Sequence, residues 1–152
     1  MIVVGSTVVT ASESEIKTWD VGALMHIADT HDVTPETIMA LPVGFALTNM
    51  VHPPTYLNKV VVSAESGALA VWNVATAKLK FVCDVFAGVA VTALVASPAV
   101  DILAGGLANG NVALHNIKTN KVLLAVIVCV RRVSLAGIGI LWRAAACNSG
   151  RG

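Results

Sequence analysis

The clearest hydrophobic and polar pattern in the chain is a pair of apolar segments joined by a polar turn. Residues 59–63 are dominated by β-branched valines, and residues 68–74 alternate before ending on a Trp-Asn-Val sequence. Residues 65–67 between them read Glu-Ser-Gly, which is typical of a tight turn. The pattern therefore predicts a β-hairpin over residues 59–74.

Looser copies of this pattern extend over most of the remaining chain. Short β-branched or alternating segments recur, and polar or glycine-containing turns separate them. The further predicted strands are residues 6–11, 15–21, 45–51, 78–83, 89–96, 101–107, 111–117 and 121–128.

The stretch from residue 23 to residue 47 is less regular. Thr34 as a cap, Pro35 at the first helical position and Glu36 in the first turn would suit a short helix. No long apolar stripe follows, and Pro42 with Gly44 would end it. Residues 32–35 could start a short helix, but we expect a loop over this stretch, followed by the short strand at 45–51.

The strand pattern repeats with a spacing of 43 residues. This distance separates Gly67 from Gly110 and Trp72 from His115. A period of about 40–45 residues is typical of a four-stranded propeller blade. Trp19 lies 53 residues before Trp72, so the first unit is predicted to carry an insertion. The same spacing of 43 relates Asn73 to Asn116, Thr76 to Thr119 and Lys78 to Lys121.

The sequence at the ends of these units resembles a known repeat family. Trp19-Asp20 and Trp72-Asn73 resemble the dipeptide that closes the third strand of WD repeats, and His115 stands where tryptophan would be expected. Residues 52–74 and 91–123 closely resemble the WD-repeat subunit of the U3 small nucleolar ribonucleoprotein, part of the small-subunit processome. The tracts TYLNK, SPAVD and LHNIK carry most of this resemblance.

The resemblance implies an all-β fold, a partial WD-repeat β-propeller of about two to three blades whose ring is not closed. It also implies a non-catalytic scaffold in ribosome biogenesis that acts in small-subunit (18S) rRNA processing in the nucleolus. The implied partners are processome proteins, with pre-ribosomal RNA nearby and contacted indirectly, and no membrane, cofactor or small-molecule substrate. The resemblance divides the chain into residues 1–46, a divergent first blade with an insertion loop, residues 47–125, two WD-type blades, and residues 126–152, an atypical tail.

Charge and composition exclude several other classes of protein. The formal net charge is +1, which gives no strong field for nucleic acid or anionic membranes. Cys83, Cys129 and Cys147 are an odd number without a close pair, as in a reduced intracellular protein. The longest charge-free apolar run, residues 85–100, is shorter than the ~20 residues of a membrane-spanning helix. The N-terminus has no basic segment of a signal peptide.

Candidate chemical groups are better explained by structural roles. His26, Asp29, His31 and Asp32 match no metal-site spacing and are expected in a solvated loop. We therefore expect no catalytic, cofactor-binding or metal-binding residue. Trp19 and Trp72 are expected to pack between blades rather than stack on RNA bases, and His115 is expected to be a structural histidine. Ser63, His52 and Asp101 have no nucleophile-elbow motif around them, and Gly105, Gly106 and Gly110 lack the remaining residues of a phosphate-binding loop.

Two other functional classes stay open at this stage. The first is a generic WD-repeat adaptor outside ribosome assembly, which the specific tract at residues 55–59 disfavours. The second is a small membrane-associated protein, for which the apolar residues 85–100 and 122–130 are the motivation.

The C-terminal tail differs in composition from the rest of the chain. All six lysines lie at or before Lys121, all four arginines lie at or after Arg131, and no acidic residue follows Asp101. Our hypothesis is that residues 126–152 derive from a truncated or mis-spliced gene. Sequencing the transcript across codons 120–135 is expected to show a break in the reading frame or an unspliced junction; a continuous message encoding this tail would contradict it.

Overall fold

The residues that the computed structural model describes, 1–25, 34–86, 88–98 and 101–127, contain twelve β-strands and one short helix. The strands form three antiparallel sheets of four, and each sheet follows chain order without a crossover. The all-β prediction is confirmed, and the three sheets do not close into a ring.

The first sheet is built from the N-terminal segment. The turn between its first two strands passes through Gly5, whose φ of 61° suits a residue without a Cβ atom. Helix α1, Val21–Met25, follows the third strand. The strands are β1 (Ile2–Val4), β2 (Thr7–Ala11), β3 (Glu15–Asp20) and β4 (Thr37–Ala40).

The second and third sheets are formed by the two copies of the 43-residue repeat. Their central hairpins turn at Gly67 and Gly110, each with a φ of 85°. This conformation is strained for residues with a side chain, which explains the glycine at both places. The second sheet contains β5 (Leu47–Val51), β6 (Lys59–Ala64), β7 (Ala68–Asn73) and β8 (Lys78–Asp84); the third contains β9 (Val91–Ala96), β10 (Ile102–Leu107), β11 (Asn111–Asn116) and β12 (Lys121–Ile127).

The structure corrects the prediction for the segment between β3 and β5. Thr34, Pro35 and Glu36 are not helical, and Thr37–Ala40 is a strand paired with β3 instead of part of a loop. Thr37 shares a 2.6 Å hydroxyl hydrogen bond with the buried Thr18, and Met39 is 3% exposed. Strand pairing and burial thus decide the conformation here. Residues 26–33 lie outside the described residues, and they include the side chains that were considered and rejected as metal ligands and the start of the short helix considered there.

Strand β1 and helix α1 were not predicted. Strand β1 is three residues long and pairs with β2, with Val4 opposite Thr7. Val4 is buried in the apolar cluster that the first sheet shares with the second, which a three-residue segment does not reveal in the sequence. Helix α1 follows Asp20, whose carboxylate accepts a 2.8 Å hydrogen bond from the Ala23 backbone N–H.

The sheets pack face to face through two apolar interfaces, which we call the first and second junctions. The first junction joins the first and second sheets, and the second joins the second and third. Strands β5 and β9 lie beside each other, where the Asn49 amide donates a 3.1 Å hydrogen bond to the Val91 carbonyl. Buried residues of the first junction include Val9, Ile16, Met39, Val60, Val62 and Trp72, and those of the second include Val61, Leu69, Phe86, Leu94, Leu103 and Ile117.

The outer strands are more exposed than the inner ones. Strand β6 is buried over five of its six residues, whereas β8 has one buried residue, Cys83, among its seven. Burial raises the pKa of the Cys83 thiol to about 11, so it is a neutral core residue at physiological pH. The apolar residues therefore concentrate on the inner strands, at the junctions between sheets.

Replacing Gly67 with alanine is expected to destabilise the chain more than the same change at Gly5. An added Cβ at Gly67 would lie 2.8 Å from the Val89 carbonyl oxygen, whereas nothing lies within 4 Å at Gly5. Both positions have positive φ, which costs about 1–2 kcal/mol; overpacking at Gly67 adds roughly 1–3 kcal/mol. Urea unfolding followed by tryptophan fluorescence measures the difference, and equal midpoints for the two variants would refute the close packing at Gly67.

Candidate functional site

The repeat seen in the sequence is also a repeat of hydrogen bonds. The residue after the third strand of each sheet donates its backbone N–H to the carbonyl of the residue immediately before the second strand. The second and third sheets also share β-bulges at Val71/Trp72 and Leu114/His115, which are 43 residues apart. The three sheets are therefore copies of one structural unit. The equivalent bonds are Val21 N–H to Ser6 O (2.8 Å), Val74 N–H to Asn58 O (2.9 Å) and Ile117 N–H to Asp101 O (2.7 Å).

The second residue of each Trp-Asp-like dipeptide fixes the following turn. The Asn73 side-chain oxygen accepts a 3.1 Å hydrogen bond from the Thr76 backbone N–H, and Asn116 accepts a 2.9 Å bond from that of Thr119. Such side-chain-to-backbone bonds are characteristic of Asn and Asp in turns. The dipeptide thus has a local structural function.

The first residue of the dipeptide packs between sheets. Trp72 is 5% exposed and belongs to the first junction, as predicted. His115 is 1% exposed, which confirms its prediction as a structural histidine. In β3, Ile16 faces the first junction, and Trp19 is three residues further along the strand, so Trp19 lies on the opposite face. It is partly buried, and its Nε1–H donates a 2.9 Å bond to Thr10 Oγ1, so its packing against another blade stays a prediction.

His115 is held in the second junction without a well-formed hydrogen bond to either ring nitrogen among the described residues. The ring meets Phe86 edge-on at 6.4 Å between centroids. Burial lowers the pKa of His115 from its ordinary 6.5, although the Lys121 backbone offsets part of this shift. The imidazole is therefore neutral in the folded chain at physiological pH.

A polar contact joins the loops of the second and third sheets. The Tyr56 hydroxyl, between β5 and β6, donates a hydrogen bond to the Asp101 carboxylate, between β9 and β10. The Lys59 ammonium lies 4.2 Å from the centroid of the Tyr56 ring. Burial, reinforced by Asp101, raises the pKa of Tyr56 to about 12. The contact between Asp101 and Tyr56 was not predicted, because the two residues are 45 positions apart in the sequence.

The residues considered for catalysis are not assembled into a triad. Ser63 is buried and shares a 3.0 Å hydroxyl hydrogen bond with Thr48. His52 Nδ1 lies 2.8 Å from the Lys59 carbonyl, and Asp101 binds Tyr56. Each side chain therefore has a separate structural partner.

The glycines considered for phosphate binding have structural positions. Gly105 and Gly106 lie within β10, and Gly110 occupies the turn before β11. A Cβ at Gly105 would lie 2.9 Å from the Phe86 ring, so close packing explains this glycine. Within the described ranges, no group of three or more metal-ligating side chains is present, and no helix is long and apolar enough to cross a membrane.

Replacing His115 with leucine is expected to stabilise the chain at neutral pH by about 1–3 kcal/mol, because it removes buried polar atoms without partners. The folded-state pKa is depressed, so the unfolded chain binds the proton more readily. Unmodified protein should lose stability as pH falls below about 6.5, and the leucine variant should lose less.

Urea unfolding at a series of pH values from neutral to mildly acidic measures both effects. His52→Gln is the control, because its ring nitrogen lies in a half-buried loop outside the second junction. Parallel pH profiles for the leucine variant and the unmodified chain would contradict the assigned environment of His115.

Comparison with known proteins is consistent with this arrangement of sheets. A family model described as "WDR36/Utp21 first beta-propeller" matches residues 1–135. The match passes the predicted start of the tail at residue 126, and the origin of residues 126–152 stays a prediction.

Two curated relatives match about half of the chain. WD repeat-containing protein 36 of Homo sapiens is 46% identical over 82 residues, or 53% of this chain. The U3 small nucleolar RNA-associated protein 21 homolog of Schizosaccharomyces pombe is 35% identical over 78 residues, or 51% of this chain. The chain spans 9% of the length of each relative.

These matches confirm the resemblance to the WD-repeat subunit of the U3 small nucleolar ribonucleoprotein. Since the family model covers most of the sequence and the three sheets have the matching architecture, the chain belongs to the WDR36/Utp21 family and carries part of its first β-propeller.

Proposed function

We propose that this chain is part of a non-catalytic WD-repeat scaffold that acts in ribosome biogenesis, in small-subunit (18S) rRNA processing within the small-subunit processome. The observation that carries the proposal is the family match over residues 1–135, joined to three stacked sheets of the expected kind. The fission yeast relative is named as U3 small nucleolar RNA-associated, which supports the same assembly for this chain.

The scaffold function follows from how the sheets divide their surfaces. The inner strands bury apolar side chains in the two junctions, and the turns at either end of each sheet remain exposed. Propeller blades protect their strand edges in this way and leave loops free to contact other molecules. Specific recognition would then depend on several loops held by one rigid stack.

The proposed partners are processome proteins, with pre-ribosomal RNA contacted indirectly, and the proposed location is the nucleolus. The charge of the chain supports indirect contact with RNA, because single-stranded RNA is normally bound by a basic groove with aromatic platforms. Lys17 pairs with Glu15 at 2.7 Å, and Lys59 lies over the Tyr56 ring. Trp72 is buried and cannot stack on a base without opening the first junction.

We also propose a division of the chain at the boundaries given by the sequence. Residues 1–46 would form the divergent first blade with its insertion loop, residues 47–125 the two WD-type blades, and residues 126–152 the atypical tail, whose first two residues end strand β12. The hydrogen bonds that repeat at a spacing of 43 support the middle unit.

The function is tested by tagging, at its locus, the gene product that contains this sequence. Affinity capture is expected to enrich U3 small nucleolar RNA and processome proteins over an untagged strain, and microscopy should show a nucleolar signal. Recovery of a different complex without U3 RNA would contradict the proposal and favour an adaptor outside ribosome assembly.

A matched pair of variants ties the result to the fold of this chain. Trp72→Asp places a charge in the first junction and is expected to abolish the enrichment, since buried unpaired charges destabilise the fold strongly. Leu57→Asp alters a residue that is 89% exposed, and this variant should preserve the enrichment. Equal enrichment by both variants would show that the assembly does not depend on these sheets.

A further inference from the structure

An open groove lies where the turns of the first and second sheets meet. The β2–β3 turn and the β6–β7 turn form its two sides, and the connection from β4 to β5 forms its floor. Its volume is about 540 Å³, enough for several amino-acid side chains. Residues that line it include Glu13, Ser14, Leu41, Val43, Phe45 and Glu65.

The groove exists because the two junctions are closed differently at this end. The loops after β4 and β8 make the same turn, with Gly44 and Gly88 both at a φ of 78°. In the loop after β4, the Phe45 backbone N–H donates a 3.0 Å hydrogen bond to the Pro42 carbonyl. In the loop after β8, the Val89 backbone N–H donates a 3.0 Å hydrogen bond to the Phe86 carbonyl. Pro42 therefore occupies the position that corresponds to Phe86.

At the second junction, Phe86 fills the space between the sheets. It is 5% exposed and packs so closely on Gly67 and Gly105 that a Cβ at either glycine would lie within 3.2 Å of it. Pro42 has no aromatic ring to reach across the junction in this way. Val62, 43 residues before Gly105, occupies the position that corresponds to this glycine in the repeat. The first junction is thus left open at the end that the second junction closes.

The groove combines an apolar floor with acidic sides. Leu41 and Phe45 are 9% and 7% exposed, whereas the Val43 side chain next to them is fully exposed. Glu13 and Glu65 stand on the two turns, both exposed, and neither forms an ion pair within the described part of the chain. The groove therefore offers an apolar contact surface bordered by two carboxylates that have no ion-pair partner among the described residues.

We propose that this groove binds a peptide segment of a partner protein in which lysine or arginine residues flank an apolar side chain. The apolar side chain would contact Val43, Leu41 and Phe45, and the cationic residues would pair with Glu13 and Glu65. Exposed ion pairs contribute little by themselves and are screened by salt. Affinity therefore depends on the apolar contact, while the charges select basic over acidic peptides.

This inference deepens the proposed scaffold function by naming a contact surface and the chemistry of its partner. The binding step itself does not require that the assembly be the small-subunit processome. Loss of peptide binding and loss of U3 association are therefore separate results.

The test uses the 152-residue chain and a fluorescein-labelled peptide, Gly-Lys-Leu-Leu-Lys-Gly, followed by fluorescence anisotropy. Binding is expected below millimolar peptide and should weaken as salt is raised. Two peptides of the same length, one with glutamates for the lysines and one with serines for the leucines, should each bind at least about tenfold more weakly. Equal binding of the acidic peptide, or no binding at millimolar concentration, would overturn the proposal.

Variants of the chain locate the binding to the groove. Glu13→Gln with Glu65→Gln is expected to weaken binding several-fold and to remove most of the salt dependence, and Val43→Ser to weaken it about tenfold. Glu36→Gln, another exposed carboxylate, lies outside the groove and should leave binding unchanged. All these positions are exposed, so the variants should fold, which circular dichroism checks; unchanged binding by the double glutamine variant would place the peptide elsewhere.

Discussion

The packing of each sheet face against the next is the interaction on which the rest of the structure depends. Strand β6 shows this most directly, because its successive valines alternate between the two junctions: Val60 and Val62 face the first sheet, and Val61 faces the third. A strand buried on both faces is typically a continuous apolar run instead of an alternating one. The hydrophobic run at residues 59–63 is thus a consequence of having a sheet on each side.

The two junctions use one design with different side chains. Trp72 fills the first junction and the smaller His115 takes its place in the second, where Phe86 reaches across to contact it. The Phe86 ring leaves room only for glycine at 105, while the Val89 carbonyl and the Phe86 backbone crowd Gly67, so the connection between β8 and β9 packs closely against both sheets. In the first junction, Pro42 occupies the position that corresponds to Phe86, and the junction opens into a groove. Small differences between repeats can therefore create a surface specific to one blade within an otherwise regular fold.

Much of this fold could be predicted from the sequence, because its main signals are local. The turns at Gly67 and Gly110 and the dipeptides that end the third strands have fixed positions in the repeat, so their spacing predicted the second and third sheets. Strand β4 could not be predicted from local signals, because Thr37–Ala40 is only four residues long and it pairs with β3, which lies well before it in the sequence. The contact of Tyr56 with Asp101 and the acidic groove also join residues distant in sequence, and no local pattern predicts them.

The contact between Phe86 and the third sheet tests most directly whether successive repeats stack face to face. A ¹³C-edited nuclear Overhauser spectrum of the labelled chain should show cross-peaks from the Phe86 ring to the Gly105 α-protons and to the His115 ring, because Phe86 packs against both. Intact strand signals for β6–β7 and β10–β11 without these cross-peaks would contradict the account, since the sheets would then form without packing on one another.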